Sequence, residues 1–202
     1  MRWVEVLVWF LISFVCGSLP FSVWIGRWIL QVDIRDYGDK NPGTANVFRA
    51  GGRFWGVVAL LLDFLKGAIP VGLAYWVYGL NGWGLALVAI APVIGHAYSP
   101  LLGFQGGKAL ATTFGIWTGL TLWQGPIVLG VNLAIWGGIL ATESWVILFG
   151  VLGFLGFILL SNAPTYIVAL GIANASLLVW KYRSALRHKP IVRKWLIKMI
   201  MR

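Results

Sequence analysis

The chain has 202 residues, of which 59% are hydrophobic and 11% charged, including thirteen tryptophans. A soluble domain carries about 25% charged residues and rarely exposes large apolar patches, so this composition excludes a soluble protein and predicts an integral membrane one. The formal net charge of +10 comes from 16 Lys and Arg against six Asp and Glu; the basic residues trail directly from apolar stretches, which argues against a nucleic-acid partner and for a topology signal.

Seven apolar stretches reach the length expected of membrane helices, roughly 20 residues each. They run over residues 4–28, 54–78, 83–103, 109–124, 127–141, 145–161 and 164–182, and predict an all-α, polytopic fold. A six-helix count with one re-entrant segment is the rival reading, because the fourth and fifth stretches are short and divided by Gln124-Gly125-Pro126. The first stretch has no A-x-A cleavage site after it and is expected to be retained as a helix. The single cysteine, Cys16, lies within it beside Phe14, Val15 and Gly17. No intrachain disulfide is possible, and with no base or cation nearby to form a thiolate its expected role is packing.

Lysine and arginine orient the helices. Arg27, Arg35, Lys40, Arg49 and Arg53 fall between the first and second stretches, and Lys108 between the third and fourth. Lys181, Arg183, Arg187, Lys189, Arg193, Lys194, Lys198 and Arg202 cluster at the C-terminal end. The intervening connections are uncharged. Seven helices then place the N-terminus outside and the C-terminus in the cytoplasm, with residues 183–202 forming a basic cytoplasmic tail suited to anionic membrane lipids.

Two glycine-rich stretches break the apolar pattern on that same side: GDKNPGTANVFRAGG (residues 38–52) and GHAYSPLLGFQGGKALAT (residues 95–112). Glycines in the first allow several backbone N–H groups to point together, as anion-binding nests do. Asn41, Thr44 and Asn46 add neutral donors, and Arg49 can fork two donors onto a phosphate. In the second, Gly106-Gly107-Lys108 precedes a helix, an arrangement suited to phosphate. The P-loop spacing is absent, since Ala109 follows Lys108. His96 gains interest from lying within a membrane stretch. Asp63 and Lys66 stand three apart on one helix face and are expected to form a structural ion pair, with an ion or proton path as the alternative. Glu143, with Thr142 and Ser144, is expected to line the same site or to cap the following helix.

The ordered blocks GSLPFSxxIGR, DIRxxGxxNPGxxNVxRAGG, LxxDxLKG and GHxxSPLLGFxGGKxxAT, from about Gly17 to Thr113, resemble those of the bacterial membrane glycerol-3-phosphate acyltransferases that use acyl-phosphate, the PlsY family. The resemblance implies a single transmembrane acyltransferase-like domain over residues 1–182, in the bacterial cytoplasmic membrane, with its active site facing the cytoplasm. It implies acyl transfer from acyl-phosphate to the 1-hydroxyl of sn-glycerol 3-phosphate, forming lysophosphatidic acid and phosphate for phospholipid biosynthesis. It implies no cofactor, metal, CoA or carrier protein. Carried over by position, His96, Lys108 and Arg49 are the catalytic candidates. Asn41, Gly43, Thr44, Asn46, Gly106, Gly107, Ser144 and Ser184 are the substrate-binding ones. The base is either His96 or the donor's own phosphate. No Ser-His-Asp triad or HxxxxD signature offers a different chemistry, since position 101 is Leu101. No oligomeric state follows from the residues.

The chain departs from the family pattern inside these blocks. Asp39 stands where the family has serine, with Lys40 as the neighbour expected to balance its charge. Gln105 replaces a lysine, Thr44-Ala45-Asn46 replaces Ala-Thr-Asn, and Lys181 and Ser184 stand where His and Asn are usual. These departures keep two other function classes in view: a transporter of a phosphorylated metabolite, and a non-catalytic paralogue that binds lipid phosphate. Transporters favour midplane sites and internal repeats; the charged motifs here lie toward one side and no repeat is evident.

Overall fold

The computed structural model describes residues 3–200. They form helices throughout; the only strand-type pairing among them is an isolated antiparallel bridge between Leu140 and Val192. The chain divides into two compact units, Met1–Leu122 and Trp123–Arg202. Among the described residues, four stretches are long and apolar enough to cross a membrane: Trp3–Ile29, Thr44–Val77, Gly82–Leu102 and Glu143–Leu160. A shorter apolar helix covers Gln124–Ile139.

In the first unit, α1 (Trp3–Ser18) ends just before Pro20. Proline has no N–H to continue the ladder, so the expected single helix over 4–28 is broken. It resumes as α2 (Phe21–Trp24) and widens into a π turn at Ile25–Ile29. The expected loop 29–53 is also corrected. Helix α3 (Thr44–Gly72) begins inside it, absorbing the Asn46, Arg49 and Gly51-Gly52 segment. Gly52 (φ 74°, ψ −167°) kinks α3, a conformation open to glycine and strained for other residues. The true loop is therefore short, and Asp33 organises it. Its carboxylate accepts the Arg35 backbone N–H and pairs with the Arg35 and Arg27 guanidinium groups. The Arg35 hydrogen bond, offset in part by burial, holds the Asp33 carboxyl well below the usual carboxylate range.

Helices α4 (Gly82–Ala97) and α5 (Leu110–Thr121) complete this unit. Glycines set how closely the helices pack. Gly17 of α1 lies on the Pro92 backbone of α4, and Gly95 of α4 lies on the Phe14 carbonyl of α1. Gly67 of α3 meets the Thr112 carbonyl of α5, and Gly115 of α5 meets the Phe64 carbonyl of α3. Without strong apolar drive between helices in lipid, such close backbone contact carries the packing. The opposite faces stay apolar and exposed: Val4, Val8, Leu11 and Val15 on α1, and Val57, Leu61, Leu65 and Ile69 on α3. Their helical spacing marks stripes suited to lipid.

In the second unit, α6 (Gln124–Ile139), α7 (Glu143–Leu160) and α8 (Thr165–Tyr182) pack in sequence, with Gly150 against Leu133 and Gly153 against Asn132. Gln124-Gly125-Pro126, expected as a turn, forms the start of α6, where a proline's missing N–H costs nothing; the chain turns instead at Leu122 (φ 56°). The C-terminal segment is strapped to the end of α6. Ala141 donates to the Ile191 carbonyl, Ile191 N–H to Thr142 Oγ1, and Arg193 N–H to the Ile139 carbonyl. Arg193 Nε and Trp195 Nε1 donate to the carbonyls of Gly137 and Gly138. These bonds satisfy the orphan carbonyls of a helix C-terminus, and a short helix, α9 (Lys194–Ile200), follows.

A methyl group tests the packing rule. Gly115→Ala is expected to destabilise by about 1–3 kcal/mol through overpacking against α3, whereas Gly156→Ala, where a Cβ meets nothing within 4 Å, is expected to change stability by less than about 0.5 kcal/mol. Thermal unfolding of both variants in detergent measures the difference.

Candidate functional site

The site is built around two linked polar clusters of the first unit. The deeper one centres on Asp63 of α3, which is buried. Its Oδ1 pairs with Lys66 Nζ at 2.7 Å, with both side chains almost fully excluded from solvent. Its Oδ2 accepts from Ser22 Oγ of α2 at 2.8 Å and from Thr44 Oγ1 at the start of α3 at 3.1 Å. Lys66 Nζ also donates to the Leu19 carbonyl at 2.8 Å, a group freed where α1 breaks. Thr112 Oγ1 of α5 donates to the Asp63 carbonyl at 3.0 Å. The expected i, i+3 pair is therefore present, and its charged groups are hydrogen-bonded by Ser22, Thr44 and the Leu19 carbonyl.

His96, near the end of α4, is buried with Nδ1 3.8 Å from Asp63 Oδ1. Its other face meets Gly106-Gly107. Gly107 N–H donates to the His96 carbonyl at 3.0 Å, and a side chain at Gly107 would collide with His96 Nε2. Glycine at both positions is thus required by the close approach of the turn to the histidine. Gly17, Ser18, Asp63, Lys66, His96, Ser99, Pro42 and Gly107 take part in lining a crevice with about 200 Å³ of empty space, opening included.

The outer cluster joins the loop before α3 to the first turns of α3 and to Lys108 ahead of α5. Asn46 is fully buried and donates from Nδ2 to the Asn41 carbonyl at 2.9 Å and to Asp39 Oδ1 at 3.1 Å. Its Oδ1 accepts from Arg49 Nη1 at 2.6 Å. Asp39 Oδ1 also accepts the Asn41 N–H at 3.2 Å, and Asp39 Oδ2 pairs with Lys108 Nζ at 2.6 Å. Gly38 (φ 54°) lets the loop pass against Arg49 and Asn46; a Cβ there would stand 2.6 Å from Arg49 Nη1 and from Asn46 Oδ1. The sequence suggested Lys40 as the partner of Asp39; the structure puts Lys108 there, because the Gly106-Gly107 turn carries it to the loop. Burial pushes the Asp39 carboxyl up, but Lys108, the Asn41 N–H and the Asn46 amide together outweigh it and hold the carboxyl below its ordinary value.

Of the residues selected from sequence, Asn41, Thr44, Asn46, Arg49, His96, Gly106, Gly107 and Lys108 all join these clusters. Gly43 is the N-cap of α3 and offers no side-chain cap. Ser144 and Ser184 belong to the second unit, where Ser144 Oγ donates to the Ala185 carbonyl at 3.2 Å and Ser184 begins a short 3₁₀ turn. Glu143 opens α7. Sequence reasoning passed over Ser22 and the Leu19 carbonyl. The signal available was Asp63 itself, since a buried carboxylate requires donors.

The chain as a whole is similar to known proteins. The family model described as glycerol-3-phosphate acyltransferase matches residues 7–189. The chain belongs to the glycerol-3-phosphate acyltransferase family. It is 43% identical over 120 residues to glycerol-3-phosphate acyltransferase 1 of Thermotoga maritima, covering 58% of this chain and 59% of that one. It is 35% identical over 190 residues to the glycerol-3-phosphate acyltransferase of Maridesulfovibrio salexigens, covering 93% of both. So the matched stretch spans less than two thirds of the first relative's length and nearly all of the second's. Among solved structures it is similar to PlsY, an integral membrane glycerol 3-phosphate acyltransferase, in its glycerol 3-phosphate form. There the TM-score is 0.83 and the identity 27%, over 91% of this chain and 90% of that one. The same protein in its lysophosphatidic acid form gives a TM-score of 0.81. A membrane-embedded all-helical protein is therefore the setting for the clusters.

Removing one member of the buried pair is expected to be costly. Asp63→Asn leaves Lys66 without its counter-charge and should destabilise by about 3–5 kcal/mol, while an apolar replacement of both partners should recover most of that loss. Unfolding temperatures of the single and double variants in detergent read the contrast.

Proposed function

We propose that this chain transfers a fatty acyl group from acyl-phosphate to the 1-hydroxyl of sn-glycerol 3-phosphate, giving lysophosphatidic acid and inorganic phosphate. The observation that carries the proposal is the linked row Lys108–Asp39–Asn46–Arg49. It gathers two cations, remote in sequence, at one loop beside the His96 crevice. Family membership and the likeness to a glycerol 3-phosphate form of PlsY support the acceptor; its lysophosphatidic acid form supports the product.

The chemistry asks for charge management more than for a covalent intermediate. Acyl-phosphate is a mixed anhydride and already activated. The acceptor hydroxyl oxygen attacks the acyl carbonyl carbon, a tetrahedral oxyanion forms, and the carbon–oxygen bond to phosphate breaks. The hydroxyl proton ends on the departing phosphate, either directly or by way of His96. His96 suits a relay: Asp63 stands behind Nδ1, and Nε2 faces the glycine turn. Arg49 and Lys108 offset the repulsion between two phosphate groups, and N–H donors of the two glycine loops stabilise the oxyanion. Holding both substrates at one point supplies much of the remaining rate.

The reading includes seven membrane-spanning segments, an external N-terminus and a cytoplasmic C-terminus, so that both glycine loops face cytoplasmic substrates. Residues 1–182 form the transmembrane acyltransferase-like domain, and 183–202 a basic tail at the lipid surface. The distribution of Arg and Lys supports this orientation. The extensive engagement of Asp63 and Lys66 favours a structural pair over a transport path.

The direct test is phosphate release by the purified, lipid-reconstituted protein given acyl-phosphate, with and without glycerol 3-phosphate. Release that depends on the acceptor, with lysophosphatidic acid formed, is the expected result; no acceptor dependence from a folded sample would refute the assignment. Arg49→Ala and Lys108→Ala should each lower kcat/KM on the order of 10²-fold or more, and near-normal rates in both would remove them from the site. Cys16→Ala, at a half-buried thiol in α1, should retain activity in the same assay; inactivation of a folded variant would point to a thiol mechanism.

A further inference from the structure

Asp39 is an unexpected group for a site that takes phosphate. Its carboxylate holds the Lys108 ammonium at 2.6 Å and the Asn46 amide at 3.1 Å, and Asn46 in turn holds Arg49 at 2.6 Å. These are the donors that a phosphate oxygen would use. A phosphate monoester has three terminal oxygens to satisfy, and a carboxylate has two. Asp39 therefore already fills, with the protein's own anion, a position whose donors suit a substrate anion.

We propose that Asp39 is an internal competitor for the substrate phosphate and a specificity determinant of this site. Bound phosphate takes over Lys108 and Asn46, and the Asp39 side chain turns out to water. The inference rests on the acyltransferase reading for the identity of the substrates, but not for the presence of an anion position.

The geometry allows the exchange. The Asp39 side chain is 41% exposed, whereas that of Lys108 is 21% exposed. The carboxylate therefore has a solvated side toward which to turn, while the lysine, next in sequence to the Gly106-Gly107 turn, is the less exposed partner. Asp39 Oδ1 also accepts the Asn41 N–H and the Asn46 Nδ2 amide, so the carboxylate ties the loop together and satisfies a buried amide. The exchange sets a threshold. A ligand with one negative charge gains little by replacing a carboxylate, whereas a dianionic phosphate gains a stronger partner for both cations. The remaining carboxylate repels whatever binds, so affinity for phosphate is lower than the two cations alone would give. A neutral polyol has nothing with which to displace Asp39 and is excluded.

The test separates this role from one in which Asp39 only positions Lys108. Asp39→Asn keeps an oxygen to accept from Asn41 and Asn46 and removes the charge; Asp39→Ser removes the competing group altogether. Binding of inorganic phosphate to the full-length, reconstituted protein is measured calorimetrically for wild type and both variants. KM and kcat are measured separately with acyl-phosphate and with glycerol 3-phosphate varied. Phosphate is expected to bind on the order of tenfold more tightly to the Asn variant, the effect of removing one nearby, partly screened charge. The KM of one substrate should fall by a similar factor, and which of the two falls tells whose phosphate uses the position. Unchanged or weaker phosphate binding in folded variants, or a lower kcat with neither KM improved, would overturn the proposal in favour of a positioning role. Should one variant fail to fold, the other carries the same comparison. Absence of acyl transfer in wild type alongside tighter phosphate binding in the variants would refute the acyltransferase reading and leave the competitor role standing.

Discussion

The buried Asp63–Lys66 pair is the constraint around which the first unit is arranged. Two opposite charges excluded from water are tolerable only when their remaining hydrogen-bonding capacity is filled. That demand recruits Ser22 from α2, Thr44 from the first turn of α3 and the Leu19 carbonyl. Each recruit fixes a segment. The α1 break at Pro20 frees the Leu19 carbonyl, and Lys66 uses it, so a helix interruption that would be costly in lipid becomes part of the structure. Thr44 ties the start of α3 to its own middle, which determines where the loop carrying Asn41, Asp39 and Gly38 must end.

The site follows from that arrangement. Because Thr44 is anchored, Asn46 in the first turn of α3 packs back on the preceding loop, and its buried amide must satisfy both its ends. It does so with Asp39 and the Asn41 carbonyl on one side and Arg49 on the other. The glycine turn closes the structure from the opposite direction, packing on His96 and delivering Lys108 to Asp39. Lys108 and Arg49, two cations that would repel one another, are thereby linked through Asp39 and Asn46.

Local patterns in the sequence carried the helices, since periodic apolar runs of this length have few other uses in a membrane protein. Where the reading failed, a polar or conformationally special residue had a distant partner. The residues around Thr44-Ala45-Asn46 and Gly51-Gly52 read as a loop because glycine, asparagine and threonine are weak helix formers; tertiary bonds to Asp63 and Asn46 override that preference. The Asp63–Lys66 pair was legible because both partners lie on one helix face. The Asp39–Lys108 pair was not, because Lys40 is adjacent in sequence and nothing local indicates that a glycine turn beyond α4 brings another lysine to the same carboxylate. The motifs that identified the family were legible as ordered blocks lying toward one side, whereas the particular contacts that link them, Gly107 on His96 and Lys108 on Asp39, became visible only in three dimensions.

The same physical rule governs both clusters but with opposite consequences. At Asp63 one oxygen accepts hydrogen bonds, the other faces the Lys66 ammonium, and both side chains are almost fully excluded from solvent, so moving either charge would leave the other buried and alone. That favours a fixed scaffold. At Asp39 the carboxylate is partly exposed, water offers an alternative set of partners, and the lysine it holds is the less exposed of the two. An ion pair with one solvated exit can exchange its anion at modest cost, whereas one without an exit cannot. Burial, more than charge, therefore separates the acid that holds the protein together from the acid that can yield to a ligand.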